Sequence, residues 1–266
     1  MKTVVITGSA RGLGLCMAKK FRQKDFNVII SDIKEEPLIK SYKEMLSIKG
    51  KGKVSYCMCD VTKTIDISKL INFAISEYKT IDIWINNAGV NQTDKALWEL
   101  SEKEINLILN VDLKATIISS KLIMEEMIKW HKGAIYNIEG YGSNDAMMLG
   151  LNMYGTSKRA ITHFTKALAK ESEEKNTGVI VGRLSPGIMI TDFITTAGNG
   201  EKINLPEKTK HVYNILGDYP EVIANFLVDK MINNKKNNIQ INWLTNSKAI
   251  WRFMTSWFNK RDFFGK

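Results

Sequence analysis

Tyr154 and Lys158 lie four residues apart in the run Tyr-Gly-Thr-Ser-Lys. On a helix that spacing puts both side chains on one face. A phenol with its usual pKa of about 10 is a poor base. A neighbouring ammonium favours the phenolate, so the pair is expected to act as a general acid/base with a lowered tyrosine pKa. The same pair on a bare surface would do no chemistry. A fitting partner is encoded near the start of the chain, in Thr7-Gly8-Ser9-Ala10-Arg11-Gly12-Leu13-Gly14. Glycines spaced G-x-x-x-G-x-G allow a tight turn and a close backbone approach to a pyrophosphate. A helix starting there would add free N–H groups and a positive dipole end. Gly8, Ser9, Arg11, Gly12, Leu13 and Gly14 are therefore candidates for holding a dinucleotide. Asp32 can accept both ribose hydroxyls of the adenosine half and would repel a 2′-phosphate, which favours NAD. Arg11 and Lys34 pull the other way and keep NADP as the alternative. Asp60 is placed to reach the adenine edge, with Val61 after it. Asn86-Asn87-Ala88-Gly89 suits a tight turn under the cofactor.

These groups need elements to hold them. Apolar strand-like runs fall at 3–6, 27–31, 53–58, 81–85, 133–138, 179–184 and 239–241. Segments of helical length lie between most of them, with apolar residues three or four apart. That alternation implies an α/β domain built on a parallel sheet with helices on both faces. Strands buried on both faces should read as continuous apolar runs, and these do. No linker or repeat divides the chain, so residues 1–266 are read as one domain. Residues 188–219 are the least regular stretch and are expected to leave the core as a substrate loop or lid.

The 266 residues are 44% hydrophobic and 25% charged, the composition of a folded soluble domain. That excludes disordered and disulfide-stapled classes. Three cysteines, Cys16, Cys57 and Cys59, with no secretory signal point to a reducing cytoplasm. Cys57 and Cys59 have no second ligand pair to complete a metal site. The net charge is +10, from 38 basic and 28 acidic residues. Thirty-two of the basic residues are lysines scattered over most helices, without the aromatic interleaving of a nucleic-acid surface, so no nucleic-acid partner is expected.

Taken together, the motifs resemble the short-chain dehydrogenase/reductase family. The matching pieces are Thr7-Gly8-x-x-x-Gly12-x-Gly14, Asp60-Val61, Asn86-Asn87-Ala88-Gly89, Asn110, Tyr154-x-x-x-Lys158 and Ser185-Pro186-Gly187 with Thr191. They come in the family's order, from residue 3 to about 192. The resemblance implies a Rossmann-type doubly wound sheet of about seven strands and a homo-oligomer, a dimer or tetramer. It implies hydride transfer between a nicotinamide and a carbonyl or alcohol carbon. Asn87, Ala88, Gly89, Pro186, Gly187 and Thr191 would line the cofactor. Tyr154 would protonate the carbonyl oxygen, Lys158 would hold the ribose, and Asn110 would anchor a water relay.

One departure narrows the resemblance. The family carries a serine 13 or 14 residues before the tyrosine, and here Tyr141 and Gly140 stand in those places. Ser143 is the nearest serine. Either it takes the role through a shifted loop, or a backbone N–H does, or catalysis is weak. A lost carbonyl donor costs on the order of 10²–10³ in rate. The segment Asn137-Ile138-Glu139-Gly140-Tyr141-Gly142-Ser143 with Tyr154-Gly155-Thr156-Ser157-Lys158 is similar to the chlorophyll b reductase branch, in which a formyl group is reduced. A reductase of another small or bulky apolar substrate is the equal alternative. A nucleotide-binding regulatory protein that has lost its chemistry is the third.

The dense part of the charge is the tail, residues 246–266. Its last twenty residues carry five basic side chains and one acidic. Ile250, Trp251, Met254, Trp257 and Phe258 fall at helical spacing, flanked by Lys248, Arg252, Lys260 and Arg261. Such a stripe either packs on the domain or a sister subunit, or makes peripheral contact with a membrane or covers an apolar substrate.

Overall fold

In the computed structural model, which describes residues 1–258 and 261–264, seven parallel strands form one sheet. They are β1 (Thr3–Ile6), β2 (Asn27–Asp32), β3 (Val54–Met58), β4 (Ile83–Asn86), β5 (Gly133–Ile138), β6 (Val179–Ser185) and β7 (Gln240–Asn242). Their order across the sheet is β3-β2-β1-β4-β5-β6-β7. β4 starts two residues later than its apolar run, because the Asp82 carboxylate, not a backbone carbonyl, accepts the Thr3 N–H at 2.8 Å.

Side chains alternate across the sheet, so each strand feeds two cores. Val4, Ile6, Val28, Ile30, Ile85 and Leu184 face one side, under α1 (Gly12–Gln23), α2 (Glu35–Leu46) and α8 (Pro220–Asn233). Val5, Ile29, Trp84, Ile135 and Val181 face the other, under α3 (Thr64–Tyr78), α5 (Ala115–Trp130) and α6 (Asn152–Glu174). The helices are amphipathic to match. In α1, Leu13, Met17, Ala18 and Phe21 are buried, one or two turns apart. A short α4 (Glu102–Ile108) is capped reciprocally, Ser101 accepting from Glu104 N–H while the Glu104 carboxylate accepts from Ser101. It runs into a π-helical turn, Leu109–Lys114, and then into α5.

Residues 188–219 are more regular than their composition implies. They contain a 3₁₀ turn at Asp192–Ile194 and a helix, α7 (Glu207–Leu216). The ends of the excursion are paired, with Asp218 N–H donating to the Ile188 carbonyl and Ile190 N–H to the Asp218 carbonyl, at 3.1 Å each. The tail forms α9 (Asn246–Thr255), started by the Thr245 hydroxyl accepting from Lys248 N–H.

Candidate active site

Most of the predicted site residues gather at the C-terminal edge of the sheet, where β1 stands between β2 and β4. The strand order reverses there, and that crevice is where open α/β sheets take ligands. The Thr7–Gly14 loop leaves β1 and is latched to the end of β4. Thr7 Oγ1 accepts from the N–H groups of Asn87 and Ala88 at 3.1 Å each. The Asn87 side chain donates to the carbonyls of Thr7 and Gly8. A Cβ on Gly14 would sit 2.6 Å from the Asn87 amide nitrogen, and one on Gly8 would sit 2.6 Å from Ala88 Cα. These two glycines are close-packing requirements. Gly12 differs: its φ is +57° and nothing lies within 4 Å of where a Cβ would be.

The chain's own residues fit a dinucleotide at that opening. Arg11 precedes α1 in an extended conformation without a side-chain cap, and the first turn holds no acidic residue. An uncapped helix start beside open space is an anion site in waiting. The Asp32 carboxylate ends β2 and accepts from Ala10 N–H and Lys34 N–H, both at 3.3 Å, which puts it at the rim of the same opening. Asp60 follows β3. Its carboxyl is partly buried, which pushes its pKa up, but the hydroxyl and N–H of Thr62 and the Lys63 ammonium more than offset that and hold it below the usual range. Val61 is half-buried beside it.

Ser9 does not face this opening. Its hydroxyl donates to the Ile6 carbonyl at 2.7 Å and accepts from Ser31 N–H at 2.9 Å, and its own N–H goes to the Ser31 carbonyl. It staples β1 to β2, fully buried, and leaves the list of cofactor ligands. Leu13 offers only backbone there, since its side chain is in the core.

Tyr154 and Lys158 stand one turn apart at the start of α6, with Lys158 Nζ 5.4 Å from the centre of the Tyr154 ring. Both are buried. The helix start that carries them lacks a local cap. Gln92, on the loop after β4, supplies one from a distance, its Oε1 accepting from Met153 and Tyr154 N–H at 2.8 and 3.2 Å. Phe193, from the excursion, lies with its ring centre 5.9 Å from that of Tyr154.

The expected lowering of the Tyr154 pKa does not follow. Burial pushes it up to about 12, and Lys158 pulls it down only in part. Asp112, absent from the predicted site, adds a smaller push in the same direction as burial. Its carboxylate Oδ2 lies 3.1 Å from Lys158 Nζ, and Oδ1 accepts from Val90 N–H at 2.8 Å. Burial pulls the Lys158 pKa down, but Asp112 and Tyr154 outweigh it and hold the ammonium above its usual range. Burial raises the Asp112 carboxyl against the pull of Lys158.

Two further candidates remain. Asn110, expected to anchor a water relay, stands on the π-helical turn and makes no direct hydrogen bond to Lys158. Two residues apart on a helical turn, Asn110 and Asp112 cannot share a face. Asp112 points in. Asn110 lines an open polar cavity of about 1030 Å³ with Lys95, Glu104, Gly198 and Glu201. Nor is the Ser143 hydroxyl engaged with Tyr154. It accepts from Gly140 N–H at 3.1 Å and donates to the Lys158 carbonyl at 3.4 Å, so it pins the loop after β5. Gly140 itself lies against the Tyr154 hydroxyl, where a Cβ would collide with it. The acidic residue of that loop, Glu139, is a buried hub. It accepts from Thr162 on α6, Gln240 on β7 and Ser185 on β6, and pairs with Arg183 at 3.4 Å. It thereby fixes the start of the turn holding Pro186 and Gly187, where Gly187 has a φ of +72°. Thr191, half-buried, precedes the 3₁₀ turn that carries Phe193.

The tail also resolves differently. Arg252 and Arg261 both reach Asp218, at 2.7 and 3.3 Å, and Arg252 donates to the Leu216 carbonyl. α9 therefore docks by its polar side. Ile250, Trp251, Met254, Trp257 and Phe258 point outward, so the stripe does not pack on its own domain. Lys260 lies outside the described residues.

The family described as short chain dehydrogenase matches residues 2–202. A probable chlorophyll(ide) b reductase, chloroplastic, of Arabidopsis thaliana is 32% identical over 279 residues, covering 99% of this chain and 54% of that protein. The chain thus spans about half the length of that relative. Among solved structures, an actinorhodin polyketide ketoreductase with NADPH superposes with a TM-score of 0.79 at 21% identity, over 93% of this chain and 97% of that one. A 7α-hydroxysteroid dehydrogenase complexed with NADH and 7-oxo glycochenodeoxycholic acid gives a TM-score of 0.79 at 23% identity, over 92% and 93%. Both show the fold.

Proposed function

The chain belongs to the short chain dehydrogenase family, and from that premise we propose that it moves a hydride between NAD(H) and a carbonyl or alcohol carbon, the formyl group of a bulky apolar molecule being the preferred substrate. One observation carries the chemistry: Tyr154 and Lys158 are buried together against the Ala88-Gly89 turn, whose other side packs on Gly8 of the loop that leads to an uncapped helix start framed by Asp32. The bound nicotinamide supplies or accepts the hydride. In the reducing direction the Tyr154 hydroxyl gives its proton to the carbonyl oxygen, leaving a phenolate and an alcohol. The Lys158 ammonium favours that phenolate, and solvent returns the proton. Asp32 supports NAD(H) over NADP(H) by repelling a 2′-phosphate. The formyl preference draws on the chlorophyll(ide) b reductase likeness and on the loop before α6, which exposes Met147 and Leu149.

A second reading, a nucleotide-binding regulator without turnover, is favoured by one fact: the loop after β5 brings Gly140, not a hydroxyl, to Tyr154. One assay separates the two. NADH or NADPH consumption is followed against a panel of aldehydes, ketones and formyl tetrapyrroles, for the chain and for Tyr154→Phe. We expect NADH-dependent turnover that falls about 10²–10⁴-fold in the variant, with cofactor affinity unchanged. Cofactor binding without Tyr154-dependent turnover would sink the enzyme reading. The outward stripe of α9 supports a covered surface, a sister subunit before a membrane. Sedimentation and vesicle co-flotation of the chain, with and without residues 247–266, distinguish them.

A further inference from the structure

A glutamate is rarely buried unless its carboxylate is paired. Glu139 follows Ile138 and prolongs the pairing of β5 with β6, its N–H donating to the Leu184 carbonyl at 2.8 Å. It is 2% exposed, so both carboxylate oxygens need donors from the protein. Three elements supply them. Oε1 accepts from the Thr162 hydroxyl of α6 at 2.9 Å and faces Arg183 Nη1 of β6 at 3.4 Å. Oε2 accepts from Gln240 Nε2 of β7 at 2.7 Å and from the Ser185 hydroxyl at the end of β6.

These partners lead toward the reacting groups. Tyr154, Lys158 and Thr162 follow at four-residue steps on one face of α6. The Thr162 hydroxyl also lies 3.1 Å from the Lys158 carbonyl. Gly140, next in the chain after Glu139, lies against the Tyr154 hydroxyl. Ser185 runs straight into Pro186 and Gly187. The strand order tells which half of a dinucleotide would lie here. Asp32 ends β2, whereas Gly140 and Ser185 stand at the ends of β5 and β6, three and four places along the sheet. With the adenosine half at Asp32 and the Tyr154 proton needed beside the nicotinamide, the nicotinamide half falls toward β5 and β6.

We infer that Glu139 is a positioning residue for the nicotinamide half of the site: its carboxylate sets the spacing between the loop that meets Tyr154, the helix that carries Tyr154, and the turn at Pro186-Gly187. The inference rests on the proposed function and deepens it. Being buried, Glu139 acts through Gly140, Thr162 and Ser185. A carboxylate is all acceptor, with about four lone-pair sites, so one group can hold these donors together. A glutamine there has a single acceptor oxygen and two donors of its own. It must release partners on one side, and it leaves Arg183 without a carboxylate. The Asp32 end is held separately, by the N–H groups of Ala10 and Lys34.

The test compares NADH with ADP-ribose, which lacks the nicotinamide, each titrated by calorimetry. In Glu139→Gln the NADH dissociation constant should rise about tenfold, the scale of one hydrogen bond to a charged group, while that of ADP-ribose moves less than about twofold. Ser185→Ala is measured in parallel, because stranding a buried arginine can prevent folding. It removes one donor, leaves the Glu139–Arg183 pair in place, and must show a split in the same direction. Equal loss for both ligands in a folded variant overturns the inference, since a merely structural Glu139 would not tell the two ends apart. Unchanged affinity for both overturns it too. In either case a parent chain that binds both ligands leaves the proposed function standing. A parent that binds neither ligand takes down both.

Discussion

Gly140 is where a residue-scale argument decides most. In a family whose usual donor is a serine near this point, restoring a side chain looks like a repair. The structure says the reverse. A Cβ at 140 runs into the Tyr154 hydroxyl and lies 3.0 Å from the ring carbon bearing it. Gly140→Ala should therefore displace Tyr154. Overpacking of this kind costs about 1–3 kcal/mol, and a misplacement near 1 Å costs about 10² in rate. We expect a lower melting temperature and turnover down about a hundredfold, with NADH affinity by fluorescence titration unaltered. An active Gly140→Ala chain would mean that the loop relaxes freely. At this scale the sequence was legible where spacing is local: Tyr154 and Lys158 are one turn apart in any helix. Asp112 and Gln92 were not, because one acts across a fold and the other caps a helix about sixty residues away. The available signal for Asp112 was a lone acid in an apolar run, which demands a buried cation.

At the scale of elements, the seven strands and the long helices followed from periodicity, while α7 and the π-helical turn did not. A π turn has no composition of its own, and α7 is held by the tail, not by the sheet. Arg252 from α9 and Arg261 beyond it converge on Asp218, which also accepts from the Trp243 indole N–H at 2.7 Å and closes the ends of the excursion through its backbone. The tail is a strap over residues 188–219. Asp218→Asn removes the common partner of two arginines. Unpairing a buried charge costs about 3–5 kcal/mol; Arg261 is about a quarter exposed, so we expect the lower end. Hydrogen exchange should speed up in α7 and α9 while β1 and β4 stay protected. Uniform loss of protection would mean that the strap is part of the global core. The outward stripe of α9 was visible as helical spacing, but its direction was not, since only the Asp218 clamp decides which side of α9 faces in.

For the whole molecule, a charge of +10 would suit a polyanion partner only if it were gathered into one patch. The described ion pairs argue for ordinary solvated faces: Lys19 of α1 with Glu44 of α2, and Lys121 with Glu125 and Lys129 with Glu126 within α5, are surface contacts, each worth little. The concentrated polarity lies at the switch point, where the loop after β1, the turn after β4 and the start of α6 meet. These three segments come from distant parts of the chain, and each is latched to another: Thr7 and Asn87 join the first two, and Gln92 joins the second to the third. A dinucleotide bound there touches the fold at its central strands, so it should stabilise the global transition and not a local one. Cofactor at a hundred times its dissociation constant adds about 2.7 kcal/mol. For a chain of this size that is roughly 5–10 °C in melting temperature. The shift should grow with the logarithm of concentration, be larger with NADH than NADPH at equal concentration, and persist in Tyr154→Phe. Reversal of the cofactor order would reassign Asp32 from repelling a 2′-phosphate to bracing Arg11 and Lys34 around it. Absence of any shift with either nucleotide would remove the crevice at β1 as the cofactor site.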